Sequence, residues 1–172
     1  MDNQKQGPLG TLLAEVLARP DDDAPREAYA RATEAADPER AEFIRVQFAL
    51  ARTTLVRGTA KYRALRKAEE DLLHRRLSDW VGDLGPWVRL VDKNDTPLPF
   101  VRGFLEQLAM TAGDFLSHGP SLCRRIPFRH LDLIGPMSHD LAIRLLLGSE
   151  LSALRSLRIE DAEVTTDRKS VV

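Results

Sequence analysis

Leu105-Glu106-Gln107-Leu108-Ala109-Met110 decides the reading of this chain, because its spacing returns twice. It recurs as Phe128-Arg129-His130-Leu131-Asp132-Leu133 and as Leu154-Arg155-Ser156-Leu157-Arg158-Ile159. In each segment the first, fourth and sixth positions are apolar, and the segments are offset by 23 and 26 residues. Alternation over the last three slots suits a short strand with one buried face. Between the segments lie two amphipathic stretches, one with Phe115, Leu116, Leu122 and Ile126, the other with Leu141, Ile143, Leu145, Leu146 and Leu147. A strand and a helix alternating at about 20–29 residues is the pattern of a leucine-rich repeat. A single unit cannot bury both its strand face and its helix face, and stacking the units does so. Three unrelated strands of an α/β domain are the competing explanation. The position three after the last apolar slot, where such repeats carry a turn-forming asparagine, holds Gly113, Pro136 and Ala162, so the units are degenerate.

Upstream of the repeats the periodicity is helical. Leu9, Leu12, Leu13, Val16 and Leu17 fall on one face, and Pro20 stops that segment. An aspartate of Asp21-Asp22-Asp23 caps a second helix with Pro25 in its first turn, running to about Ala36. Asp37-Pro38-Glu39 starts a third, through Phe43, Ile44, Phe48, Ala51 and Leu55 to Gly58. A fourth runs from about Thr59 to Trp80. Its apolar side is Tyr62, Leu65, Ala68, Leu72, Leu73, Leu77 and Trp80, and Lys61, Arg63, Arg66, Lys67, Glu69 and Glu70 are read as a solvated face. The pattern changes at Gly82–Pro86. Trp87–Val91 reads as a strand, Lys93–Pro97 as a turn, and Phe100–Met110 as a returning strand that closes a hairpin. The fold class expected is therefore α/β and α-rich: about four helices in residues 1–84, then a short parallel α/β array of about three units in residues 85–172.

The N-terminal residues carry a resemblance. Leu12-Leu13-Ala14-Glu15-Val16-Leu17-Ala18-Arg19-Pro20-Asp21-Asp22-Asp23-Ala24-Pro25-Arg26, then Tyr29-Ala30, then Asp37-Pro38-Glu39-Arg40-Ala41-Glu42-Phe43-Ile44-Arg45-Val46-Gln47 resemble the bacterial repeat-companion domain. That family is helical and precedes leucine-rich or similar repeats, the same order as here. The likeness covers about the first 55 residues. It departs at Arg31-Ala32, where the family usually has an acidic residue and a tryptophan. The resemblance implies architecture and a binding role, and supplies no catalytic residues.

Composition narrows function. The chain has 172 residues, 25 basic and 26 acidic, with a net charge of −1. Nucleic-acid binding is unlike this balance, since phosphate contacts demand a basic excess. One cysteine, Cys123, precludes an internal disulfide and suits a reducing, cytoplasmic setting. Met1–Pro8 lacks a signal-peptide core, and no apolar run approaches the ~18 residues of a membrane span. Asp21-Asp22-Asp23 reads as a cap rather than a cation site, because consecutive side chains diverge. His118, Cys123, His130 and His139 fit no zinc spacing. No phosphate loop, GxSxG or HExxH motif occurs, and no metal or cofactor is called for.

The function expected is therefore a non-enzymatic protein-interaction or scaffolding module. The candidate surface is the outward strand face: Gln107 and Thr111; His130, Asp132 and Ile134; Ser156, Arg158 and Glu160, with Asp132 set beside Arg158. Two alternatives stand beside it. One is an anion or nucleic-acid module using the basic helix 59–80 through Arg63, Arg66 and Lys67. The other is an enzyme of unrecognised type. Solenoids need a terminal cap. Here Val164–Val172 caps the last unit poorly, or the array is truncated, or a partner covers the end. The edge near Arg155–Glu160 is expected to favour self-association.

Overall fold

The computed structural model describes residues 7–54, 58–89, 99–148, 151–152 and 154–160. These form a mixed α/β protein, rich in helix, that divides into two compact units. The first comprises residues 1–85 together with Phe100–Phe104; the second comprises Pro86–Pro99 and residues 105–172. The division by sequence placed residues 100–104 with the repeats, whereas they pack with the helices.

The helical unit begins with α1 (Pro8–Ala18), α2 (Asp23–Thr33), α3 (Pro38–Arg52) and α4 (Ala60–Val81). Each start after α1 has a side-chain cap. Asp22 accepts from the Ala24 N–H, Asp37 from Arg40 and Thr59 from Tyr62, satisfying donors the helix leaves open. Two ends come earlier than expected: α2 stops at Thr33 and α3 at Arg52, while Leu55 lies outside the described residues. The core is Val16, Ala30, Ile44, Phe48 and Phe104, with Leu13 and Tyr29 packed against it.

Two charged side chains are buried, one of them where charge periodicity argued for solvent. Glu69, read as part of the solvated face of α4, is 2 % exposed. It accepts from Gln47 Nε2 (2.9 Å) and from Arg66 (2.6 Å). Arg26 is fully buried and donates to the carbonyls of Val101 (2.7 Å) and Pro20 (2.6 Å), with its guanidinium over the Phe104 ring. Partnering of this kind is what makes buried charge tolerable.

The segment after α4 corrects the sequence reading. Gly82–Trp87 is a 3-10 helix, so Trp87 does not begin a strand, and residues 90–98 lie outside the described residues. A hairpin does form, but within residues 100–105: β1 (Phe100–Val101) pairs with β2 (Phe104–Leu105). Its turn is Arg102-Gly103 with φ of 49° and 85°, the paired positive angles of a tight two-residue hairpin.

The second unit alternates strand and helix: β3 (Gln107–Met110), α5 (Ala112–Leu122), β4 (His130–Ile134), α6 (His139–Leu147) and β5 (Ser156–Glu160). The strands form a parallel sheet in the order β3-β4-β5. Its register aligns the repeat slots: Leu108 with Leu131 with Leu157, and Met110 with Leu133 with Ile159. The slots on β3 and β4 are buried, together with Phe115 and Leu122 of α5 and Leu145 of α6. The helix expected from Leu141 to Leu147 forms, yet only Leu145 of its apolar residues is buried.

Candidate functional site

The sheet face opposite the buried slots is built by alternation along the strands. Across it, Gln107, His130 and Ser156 form one row, Ala109, Asp132 and Arg158 the next, and Ile134 pairs with Glu160 in the third. All of the candidate strand residues therefore share this face. Thr111 does not. It is the N-cap of α5, where its hydroxyl accepts from the Asp114 N–H and donates to the Asp114 carboxylate, so it serves the helix start.

The face carries one chain of polar contacts and one separate pair. Gln107 Nε2 donates to Asp132 Oδ2 at 2.7 Å, and Arg158 Nε stands 3.9 Å from Asp132 Oδ1. Arg158 also donates to Glu160 at 3.2 Å, and Arg89 lies 3.5 Å from Glu160. Arg89 was missed because it falls in a segment read as a strand; a lone arginine there carries no sequence signal for this contact. His130 Nδ1 meets Ser156 Oγ at 2.7 Å. Among the described residues no carboxylate pairs with this imidazole as the third member of a nucleophile triad, since both oxygens of Asp132 are directed to Gln107 and Arg158.

Beneath these side chains lies a backbone repeat that spacing alone did not reveal. Glu106 and Gln107 both donate their N–H groups to the Pro99 carbonyl, at 2.9 and 3.1 Å. Arg129 and His130 both donate to the Glu106 carbonyl, each at 2.9 Å. Arg155 and Ser156 both donate to the Arg129 carbonyl, at 2.7 and 3.2 Å. Each strand is thus entered through the same two-donor contact with the preceding unit.

The other candidate groups are accounted for locally. On α4, Arg66 pairs with Glu69, Lys67 with Asp71, Arg75 with Glu39, and Arg76 with Asp37, Glu39 and Asp79. Arg63 donates to the Gly58 carbonyl. Trp80 packs on Phe43 at 4.9 Å and donates to Asp37, and Trp87 lies against His118 at 5.0 Å. Cys123 is a half-buried helix C-cap. Among the described residues no three of His, Cys, Asp and Glu converge as metal ligands, and no helix is long and apolar enough to cross a membrane. A groove of about 360 Å³ on the helical unit is lined by Ala30, Phe48 and Ala49 and rimmed by Glu27, Arg31, Arg45 and Arg52. Arg52 there is committed to Asp23 and Glu27, and Arg45 pairs with Glu34.

Among the described residues Arg40 is the group whose titration is strongly displaced. Burial pushes its guanidinium down to about 10, against the opposing influence of Tyr29 and Asp37. Its guanidinium stands 5.0–5.9 Å from the ring centroids of Trp80, Phe43, Phe100 and Phe104, and it keeps its charge at neutral pH.

Comparison of the chain with known protein families, curated proteins and solved structures finds no match.

Proposed function

We propose that this chain is a protein-binding module in which a repeat-companion-like helical region precedes a short leucine-rich-repeat-like array, with the outward face of β3, β4 and β5 as its binding surface. The observation that carries the proposal is the recurring strand entry. The same two-donor contact at Pro99, Glu106 and Arg129, combined with in-register apolar slots, is how stacked repeat units share one sheet. Such sheets usually recognise partners through side chains between the slots. Here those are Gln107, Asp132, Arg158 and Glu160, linked by hydrogen bonds and an ion pair, and the separate His130–Ser156 pair. A prearranged polar surface loses little side-chain entropy on binding and selects partners by charge pattern. The mechanism is presentation of a surface, without catalysis.

The test is affinity capture from a lysate of the protein's own source, comparing the wild type with Asp132→Arg and with a Lys61→Glu/Lys67→Glu variant of α4. The face reading expects a specific protein that is retained in moderate salt, lost with Asp132→Arg and kept by the α4 variant. Capture that disappears with the α4 variant and falls steeply with salt would replace it with anion or nucleic-acid binding.

A further inference from the structure

Among the described residues the parallel sheet closes on β5, whose pairing is incomplete. Along a parallel ladder, alternate residues bond to opposite neighbours. Ser156 N–H is directed to Arg129 of the preceding unit, so Leu157 and Ile159 turn their backbone N–H and C=O groups toward the other edge. Among the described residues no strand pairs there. The side chains are open as well. Leu157 is 38 % and Ile159 49 % exposed, while their register partners Leu131 and Leu133 are buried. On α6, the helix that precedes β5 in the chain, Ile143, Leu146 and Leu147 are 44, 72 and 82 % exposed. Open strand edges with exposed apolar side chains are normally blunted by charge, proline or a covering element.

The charges on β5 specify an occupant. For two copies of this strand to pair antiparallel about a two-fold axis normal to the sheet, one residue must face its own counterpart. With Ile159 on the axis, Arg158 of each copy faces Glu160 of the other, in the closer, non-hydrogen-bonded type of pair, and both sides of the seam gain an opposite-charge contact. Each sheet then continues its own alternation of sign, from Asp132 through Arg158 to the facing Glu160. Moving the axis to Arg158 would set two arginines directly opposite, a repulsive arrangement. The two-fold also brings the apolar face of both edge strands to one side, where Ile159 meets Ile159 and Leu157 lies diagonally beside it. We propose that the chain forms a homodimer through antiparallel β5–β5 pairing centred on Ile159, giving a continuous six-stranded sheet. The pairing is closed, so it ends at two copies. It uses the edge of the sheet, and Arg158 and Glu160 belong both to this seam and to the proposed partner-binding face.

The test is the molar mass by light scattering or sedimentation equilibrium, from roughly 1 to 300 µM, a range that resolves micromolar dissociation constants. The wild type is expected to pass from monomer to dimer and no further. Arg158→Glu and Glu160→Arg are each expected to weaken the dimer about tenfold or more, and the double exchange Arg158→Glu/Glu160→Arg to restore it. Because Arg158 also meets Asp132 within one chain, circular dichroism melts of each variant accompany the masses. A second measurement avoids charge: Ile159→Cys in a Cys123→Ala background is expected to form an intermolecular disulfide on mild oxidation, since Cα atoms across such a pair lie about 5.5 Å apart. Ser156→Cys in the same background is expected not to. A wild type that stays monomeric throughout, a dimer indifferent to both single reversals, or an Ile159→Cys variant that cross-links no better than Ser156→Cys would each overturn the proposal.

Discussion

Gly103 shows how one residue holds the hairpin of the helical unit in place. Its φ of 85° lies where side chains are rarely found, and a Cβ added there would meet the Ile44 side chain and backbone at contact distances no real Cβ tolerates. Its N–H donates to Gln47 Oε1 at 2.5 Å, and Gln47 in turn donates to Glu69. Strain, overlap and a displaced buried hydrogen bond therefore coincide in Gly103→Ala. The expected loss is about 3 kcal/mol of unfolding free energy, measured by urea titration. A Gly58→Ala control has positive φ but open space around it and is expected to lose about 1 kcal/mol. Nothing in the local sequence Arg102-Gly103 distinguishes an indispensable glycine from a replaceable one. The neighbour that makes it so, Ile44, is far away in the chain.

At the scale of elements, the hairpin is tied to α2 by charge. Arg102 donates to Asp23 at 2.6 Å and to the carbonyls of Asp21 and Pro20, and Arg52 donates to the same Asp23 carboxylate. Burial pushes the Asp23 carboxyl up, but the hydrogen bonds and charges of Arg102 and Arg52 outweigh it and hold it below its ordinary 3.8. A carboxyl whose value is lowered in the folded state stabilises the fold above the unfolded value and loses that contribution as pH falls through the folded one. Asp23→Asn is therefore expected to lower the melting temperature at neutral pH and to narrow its gap to the wild type as pH drops below about 4. A gap that stayed constant from pH 7 to pH 3 would show that the tie contributes nothing through charge. The three aspartates at positions 21–23 read from sequence as a cap. Asp22 takes that role, while the use of Asp23 depends on Arg102 and Arg52, which its own neighbourhood does not contain.

For the whole molecule, the apolar residues that the periodicity of α6 assigns to a core divide between inside and outside. Leu145 is buried, and Leu146 and Leu147 face outward. A Leu146→Lys/Leu147→Lys variant, in protein dilute enough to be monomeric, is expected to change unfolding free energy by no more than about 0.5 kcal/mol. Its binding of a hydrophobic dye is expected to fall clearly, because an exposed patch is lost. A large stability loss would mean that these leucines pack inside one chain. By itself the sequence determined the helix starts, through Asp22, Asp37 and Thr59, and the strand register, through the returning spacing of Leu108, Leu131 and Leu157. Both are local or periodic properties, set by capping chemistry and by two-residue alternation. Only the tertiary structure decided that Glu69 and Arg26 are inside, that Trp87 ends a 3-10 helix, that residues 100–104 belong with the helices, and that Thr111 serves α5. The burial of Glu69 and Arg26 and the placing of residues 100–104 depend on partners distant in the chain, and a buried charge or a tight turn becomes stable only once those partners are in place; Thr111 instead answers to Asp114, three residues on, a local cap that the strand spacing concealed.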